Sequence, residues 1–199
     1  MNKILGIVGR QGSGKSTLAR MLEVQSDYVY IDIDQYVKRL YENPEIINPL
    51  VDHFGESIKV FNPALQRYVI NTKALGKIVF SSPDELNWLN LFIYPIIKKN
   101  VLDFVKTQKN KLIIIDWALL TETDLVDECD LIWQLNIPYE IRKQRVMERD
   151  GITEEYFDLR ESRAPKLEYS CRCDILEFNS VEEVEDLKYA IAHGARVRI

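Results

Sequence analysis

Apolar residues gather in five short runs along the chain, at 3–8, 28–32, 111–116, 130–135 and 174–178. Each is compact and rich in Ile, Val, Leu or Tyr, the composition of a pleated, buried segment. The run 111–116 (KLIIID) is apolar almost throughout, as a strand covered on both faces of a parallel sheet should be. Between these runs the apolar spacing changes to a helical pattern over 14–24 and 139–163, and over a large middle block from 35 to 108. A closing helix is predicted at 181–192 after Asn179 and Ser180, with Ser180 and Glu183 spaced as a capping box.

Strands alternating with helices predict βαβ units and a mostly parallel sheet. The interval between the second and third runs is far longer than one crossover needs. It predicts a helical, substrate-binding subdomain over 35–108, inserted into an α/β core made of 1–34 and 109–199. Pro44, Pro49, Pro63, Pro83 and Pro95 should divide that block into several helices. The fold class expected is a three-layer α/β core with a five-stranded parallel sheet.

Composition narrows the function classes. Of 199 residues, 46% are hydrophobic and 29% charged, a balance that buries a core. No apolar run reaches the roughly 18–20 residues that cross a bilayer, and the apolar stretch at 4–8 is too short for a signal peptide. The expectation is a cytoplasmic protein without a membrane partner. A net charge of −5 argues against a nucleic-acid partner held by phosphate neutralisation. Cys129, Cys171 and Cys173 contain no C-x-x-C pair, so buried or idle thiols are expected rather than zinc or a disulfide.

The strongest chemical signal is Gly9-Arg10-Gln11-Gly12-Ser13-Gly14-Lys15-Ser16, followed by Thr17. It fits G-x-x-x-x-G-K-[ST] between a strand and a helix, the setting in which backbone N–H groups cradle phosphates, so the expected α/β core is of the P-loop NTPase type. The helix N-terminus adds partial positive charge. Lys15 would reach the β- and γ-phosphates of ATP, and the Ser16 hydroxyl would ligate Mg²⁺.

Carboxylates follow two of the strands. Asp32 and Asp34 stand two apart, so on an extended segment they share a face toward one substrate. One could accept the proton of an attacking hydroxyl, and one could cap a helix over 35–41; the sequence leaves both open. Asp116 ends the most apolar strand, where a carboxylate would hold the magnesium shell, with Glu122 a weaker candidate. Arg142, Arg145 and Arg149 recur at helical spacing. A solvated face is the default for such a stripe, but Arg145 is the residue singled out for a transferring phosphoryl group. Arg160 and Arg163 fall in a segment, about 145–166, that could form a lid.

Taken together these stretches resemble the dephospho-CoA kinase family over about 4–179. The D-x-D element is Asp32-Ile33-Asp34, the H/F-G element is His53-Phe54-Gly55 and the L-x-R element is Leu65-Gln66-Arg67. Asn87-Trp88-Leu89-Asn90 before Tyr94-Pro95 resembles L-N-x-x-x-H-P, and 116–122 (DWALLTE) resembles D-x-P-L-L-x-E. Gln144-Arg145 with Arg149-Asp150 resembles Q-R-x-x-x-R-D. The resemblance implies transfer of the ATP γ-phosphoryl group to the ribose 3′-hydroxyl of dephospho-CoA. It implies Asp34 as base beside Asp32, and Arg145 with Arg149 on the phosphates. Arg67, Asn90 and Tyr94 would then lie in the acceptor site. Tyr94 stands where the family has His, Ala118 where it has Pro, and Arg163 where it has Gln. A nucleoside or nucleotide kinase is the alternative, and a non-catalytic sensor of CoA or nucleotide a more distant one. A GTPase switch would need N-K-x-D where this chain has Asn136-Ile137-Pro138-Tyr139.

Overall fold

A computed structural model describes residues 2–23, 27–162, 164, 167, 169 and 171–195. In chain order the principal elements begin with β1 (Lys3–Gly9), α1 (Lys15–Glu23), β2 (Tyr28–Asp32) and α2 (Ile33–Leu40). Next come α3 (Pro44–Phe54), β3 (Lys59–Asn62), β4 (Arg67–Ile70), α4 (Thr72–Val79) and α5 (Pro83–Thr107). The chain continues through β5 (Leu112–Asp116), β6 (Leu131–Leu135), α6 (Tyr139–Asp150), α7 (Glu154–Glu161), β7 (Asp174–Phe178) and α8 (Val181–Ala192). Two compact units are present: 1–32 with 103–199, and 33–102.

The first unit is built on a five-stranded sheet ordered β2-β5-β1-β6-β7, with every adjacent pair parallel. These are the five apolar runs of the sequence. Side-chain alternation along β1 sends Leu5 and Ile7 to one face, where they pack with Leu18 and Leu22 of α1 and with Val184 and Ile191 of α8. β5 and β6 are buried at every position, which explains their unbroken apolar character. α8 spans the predicted residues. Ser180 Oγ accepts from the Glu183 amide at 3.1 Å, while the Glu183 carboxylate accepts from the Asn179 amide at 2.6 Å. The reciprocal bond of the box therefore falls one residue early.

Three expectations fail locally. The helical pattern over 139–163 is two helices, because Gly151 takes a left-handed φ of 63° that ends α6 and Thr153 caps α7. The middle block is not wholly helical either. Within the second unit β3 and β4 form an antiparallel hairpin. Its turn is set by Asn62, whose side-chain oxygen accepts from the amides of Ala64 and Leu65, with Gln66 at φ 53°. The prolines do not all act as breakers. Pro44 and Pro83 open α3 and α5 as first-turn prolines can, but Pro49 and Pro95 sit inside helices, and α5 runs 25 residues through Pro95. Burial of Leu89, Ile93, Ile97 and Val101 along one stripe of α5 outweighs the bond lost there.

Candidate active site

The phosphate loop leaves the C-terminal end of β1 and re-enters structure at Lys15. Gly9 and Gly12 combine a positive φ with no room for a side chain. Gly9 has φ 153°, and a Cβ there would lie 2.7 Å from Ser13 Oγ and 2.8 Å from the Leu135 carbonyl. Gly12 has φ 78°, and a Cβ would meet the Arg142 carbonyl at 2.7 Å. The loop thus runs tightly between the end of β6 and the first turns of α6. Ser13 is fully buried, and its amide donates to the Arg10 carbonyl at 3.2 Å. Ser13 Oγ is a buried polar atom lacking a hydrogen-bond partner. Lys15 Nζ arches back over the loop, donating to the carbonyls of Gly9 at 2.7 Å and Arg10 at 3.3 Å. Ser16 and Thr17 are exposed in the first turn of α1.

Carboxylates meet beside this loop in a way the sheet register dictates. Asp32 of β2 pairs with Asp116 of β5, so the two acids stand side by side on one face at neighbouring strand tips. Asp116 is also level with Ile7 of β1, two residues before the loop opens at Gly9. Asp116 is only 6% exposed. The Tyr30 hydroxyl, from the same face of β2, donates to Asp116 Oδ2 at 3.1 Å. Burial, then the charges of Asp116 and Asp32, push that hydroxyl far above its ordinary range, so it stays a donor.

The buried Asp116 carboxylate, its charge sharpened by Asp32 level with it, and the exposed Ser16 hydroxyl at the end of the amide-rich loop are hard oxygen donors of the kind a divalent cation takes. Among the described residues no three His, Cys, Asp or Glu side chains converge as a complete metal cage. That suits Mg²⁺, which is bound through one or two protein oxygens with water and phosphate supplying the rest. The donor set fits the ion.

The arginine stripe of α6 divides by role. Arg142 is 6% exposed and is not a solvated residue. Its Nε donates to the Ile137 carbonyl at 2.8 Å, its Nη1 to the Gln11 carbonyl at 3.3 Å, and its Nη2 to Glu161 Oε1 at 2.7 Å. Arg10 also approaches Glu161, at 3.7 Å, and donates to its backbone carbonyl at 3.2 Å. Gln11 reaches the Phe157 carbonyl at 3.5 Å. Glu161 thereby latches α7 to both the loop and α6. Arg145 Nη1 points at the Gly12 carbonyl, a long 3.5 Å away. Arg149 lies further out and forks onto Asp150 at 2.6 and 2.9 Å, while Arg160 donates to the same carboxylate at 3.1 Å. A cleft of about 170 Å³ is lined by Gly9, Arg10, Gln11, Ala118, Arg160, Ala164 and Leu167. Ala118 thus lies at the loop; Arg163 lies outside the described residues.

The remaining predicted residues belong to the second unit. Asp34 is exposed in the first turn of α2, and Ile33 between the two acids is fully buried. The helix starts at Ile33, so the shared extended face expected for Asp32 and Asp34 is not formed. Arg67 on β4 is exposed and lies 3.7 Å from Glu42. Asn90 and Tyr94 are half-buried one turn apart on α5. The H/F-G and N-W-L-N stretches come together: His53 stacks on Trp88 with ring centroids 3.7 Å apart and meets Glu85 at 2.7 Å.

Tyr30, Arg142 and Glu161 were missed by sequence reasoning. The period-two alternation that aligns Tyr30 with Asp32 was available as a signal. Nothing local distinguishes Arg142 from its neighbours on the stripe.

Residues 3–181 match the family model described as dephospho-CoA kinase. A Prochlorococcus marinus subsp. pastoris dephospho-CoA kinase is 30% identical over 156 residues, spanning 75% of this chain and 74% of that protein. The Escherichia coli (strain K12) dephospho-CoA kinase is 28% identical over 159 residues, spanning 79% and 74%. Among solved structures, a Thermus thermophilus protein superposes with a TM-score of 0.74 at 26% identity, covering 98% of this chain and 99% of the other.

Proposed function

The chain belongs to the dephospho-CoA kinase family, and we infer that it moves the γ-phosphoryl group of ATP onto the ribose 3′-hydroxyl of dephospho-CoA, releasing ADP and CoA. The observation that carries this reading is the phosphate loop with Lys15 folded over it, beside two acids brought level by the β2–β5 register.

Phosphoryl transfer asks a protein mainly for position and for charge placed where charge develops. Amides of Gly9 to Thr17 would grip the triphosphate. Lys15 would exchange its carbonyl partners for β- and γ-phosphate oxygens, and Arg145 would follow the transferring group, with Arg149 on the outer phosphates. Mg²⁺, when bound at Ser16 and Asp116, supplies charge neutralisation between those phosphates. Asp34 would accept the proton from the 3′-hydroxyl, with Asp32 holding the acceptor beside it. The second unit would carry the acceptor through Arg67, Asn90 and Tyr94.

Incubation with ATP-Mg²⁺ and dephospho-CoA, read by mass, should show one phosphate gained by the acceptor. A parallel panel of nucleosides and nucleoside monophosphates should stay unmodified. Preference for a member of that panel would replace this reading with a nucleoside or nucleotide kinase. Lys15→Ala should cut turnover by about a hundredfold or more. Asp34→Asn should do the same with ATP affinity nearly intact, and a near-normal rate would remove Asp34 as the base.

A further inference from the structure

At the opposite end of the sheet from the phosphate loop, three thiols gather where β6 and β7 begin. Cys129 stands two residues before β6, and Cys173 immediately precedes β7, whose first residue Asp174 pairs with Leu131. In a parallel sheet those starts share one edge, so this cluster is separate from the nucleotide end. Cys171 Sγ and Cys173 Sγ are 3.4 Å apart, and both residues are half-buried. Cys129 is 6% exposed, its Sγ lying 3.9 Å from the Leu125 carbonyl.

We propose that Cys171 and Cys173 form a dithiol that a hydroperoxide converts reversibly to an intramolecular disulfide, with Cys171 the sulfur oxidised first. The pair needs to close by a little over 1 Å to reach the bond length of about 2 Å. Cys171 and Cys173 stand outside regular structure on either side of the exposed Arg172, so such a shift is local. The order of attack follows from the hydrogen bonding. Cys173 directs its S–H at the Cys171 sulfur, while Cys171 directs its own at the Cys173 carbonyl 3.3 Å away, and the sulfur–sulfur contact keeps the proton on Cys173. Burial and that contact push the Cys173 thiol up to about 12. Burial raises the Cys129 thiol as well, and it stays protonated beneath the pair. A donor also waits there: the Tyr169 hydroxyl is buried without a hydrogen-bond partner. Burial raises it first, and the sulfurs of Cys171, Cys173 and Cys129 push it the same way, so the phenol neighbours all three.

The chemistry balances in two steps. The Cys171 thiolate displaces hydroxide (or alkoxide) from the peroxide O–O bond, giving a sulfenic acid. The Cys173 sulfur then attacks the sulfenic sulfur. A sulfur–sulfur bond forms, the S–O bond breaks, and the Cys173 proton leaves in water. Two thiols are oxidised by two electrons, and one peroxide is reduced. A ring closed across a single intervening residue is strained, which places its potential on the labile, reducible side. A thiol reductant should therefore reopen it.

The test uses the full native chain treated with stoichiometric hydrogen peroxide at neutral pH, then denatured in an alkylating agent and analysed by mass. The expected product is lighter by two hydrogen atoms, takes alkylation at Cys129 alone, and regains all three sites after dithiothreitol. Cys173→Ser should instead yield a dimedone adduct at Cys171, and Cys129→Ala should leave the bridge unchanged. A bond that includes Cys129, dimers linked between chains, or Cys171 carried to sulfinic acid without a bridge would each overturn the proposal.

Discussion

The phosphate loop and the α6–α7 arm lie against each other in one unit, yet they are made of different material. The loop is built from backbone: its geometry needs glycines at positive φ at 9, 12 and 14, and its working donors are amides that every residue possesses. The arm is built from side chains: Arg142 and Glu161, 19 residues apart, meet in a guanidinium–carboxylate contact at 2.7 Å, with Arg10 3.7 Å from the same acid. A backbone-built site announces itself as a contiguous string. A side-chain-built site can be assembled from any two positions that the fold brings together. The first tolerates change at Arg10 or Gln11 better than at Gly12, and the second fails when either partner is removed.

The sharpest break of this contrast is Arg142→Leu. It leaves a largely buried Glu161 carboxylate with the more distant Arg10, 3.7 Å away, in place of its close guanidinium, and takes a donor from the carbonyls of Ile137 and Gln11. Breaking a buried pair from one side costs about 3 kcal/mol or more, so chemical denaturation should show a clear fall in midpoint. Glu161→Gln keeps an acceptor for the guanidinium and should cost about half as much. If the two variants are equally stable, the latch is not what joins arm and loop.

How much of this was legible follows the same division. All five sheet strands and the loop were readable because apolar runs and the glycine–lysine string are local patterns. The break at Gly151 was readable in principle, but helical periodicity on both sides concealed it. The β3–β4 hairpin escaped because its four-residue strands carry little alternation and one turn asparagine does most of the shaping. Of the candidate site, Asp116 was found from its place after four apolar residues. Its pairing with Asp32 was invisible, since strand order and register depend on how the whole sheet assembles. The shared face expected for Asp32 and Asp34 failed because burial of Ile33 started α2 between them.

Tyr30→Phe probes a contact intermediate between the two kinds, a side chain placed by strand register. The change deletes the hydroxyl and leaves the ring, so the packing is kept while buried Asp116 loses a neutral donor. The expected loss is about 1–2 kcal/mol of stability in metal-free buffer. Saturating Mg²⁺ with nucleotide should recover part of it, because a cation at Asp116 replaces what the phenol supplied. An unchanged midpoint would mean that the hydroxyl only fills space beside the acid.

Asp150 offers the smallest effect, because its arginine partners are exposed to solvent. Arg149 first, and Arg160 after it, hold the Asp150 carboxyl down at about 2. An unfolded aspartate titrates near 3.9. A carboxyl depressed on folding stabilises the native state while it is ionised in both states, which is above about pH 4. That contribution declines as pH falls from about 4 and is gone once pH drops below about 2. Asp150→Asn should therefore be less stable than the parent at neutral pH by well under about 1 kcal/mol, since solvent screens the pair. The difference should vanish at the acid end of a denaturation series. The same variant separates two roles for Arg149. Released from its fork, Arg149 should shift the KM for ATP if it serves the outer phosphates, while kcat stays put. A stability change with no movement in that KM would confine Arg149 to holding the α6–α7 junction.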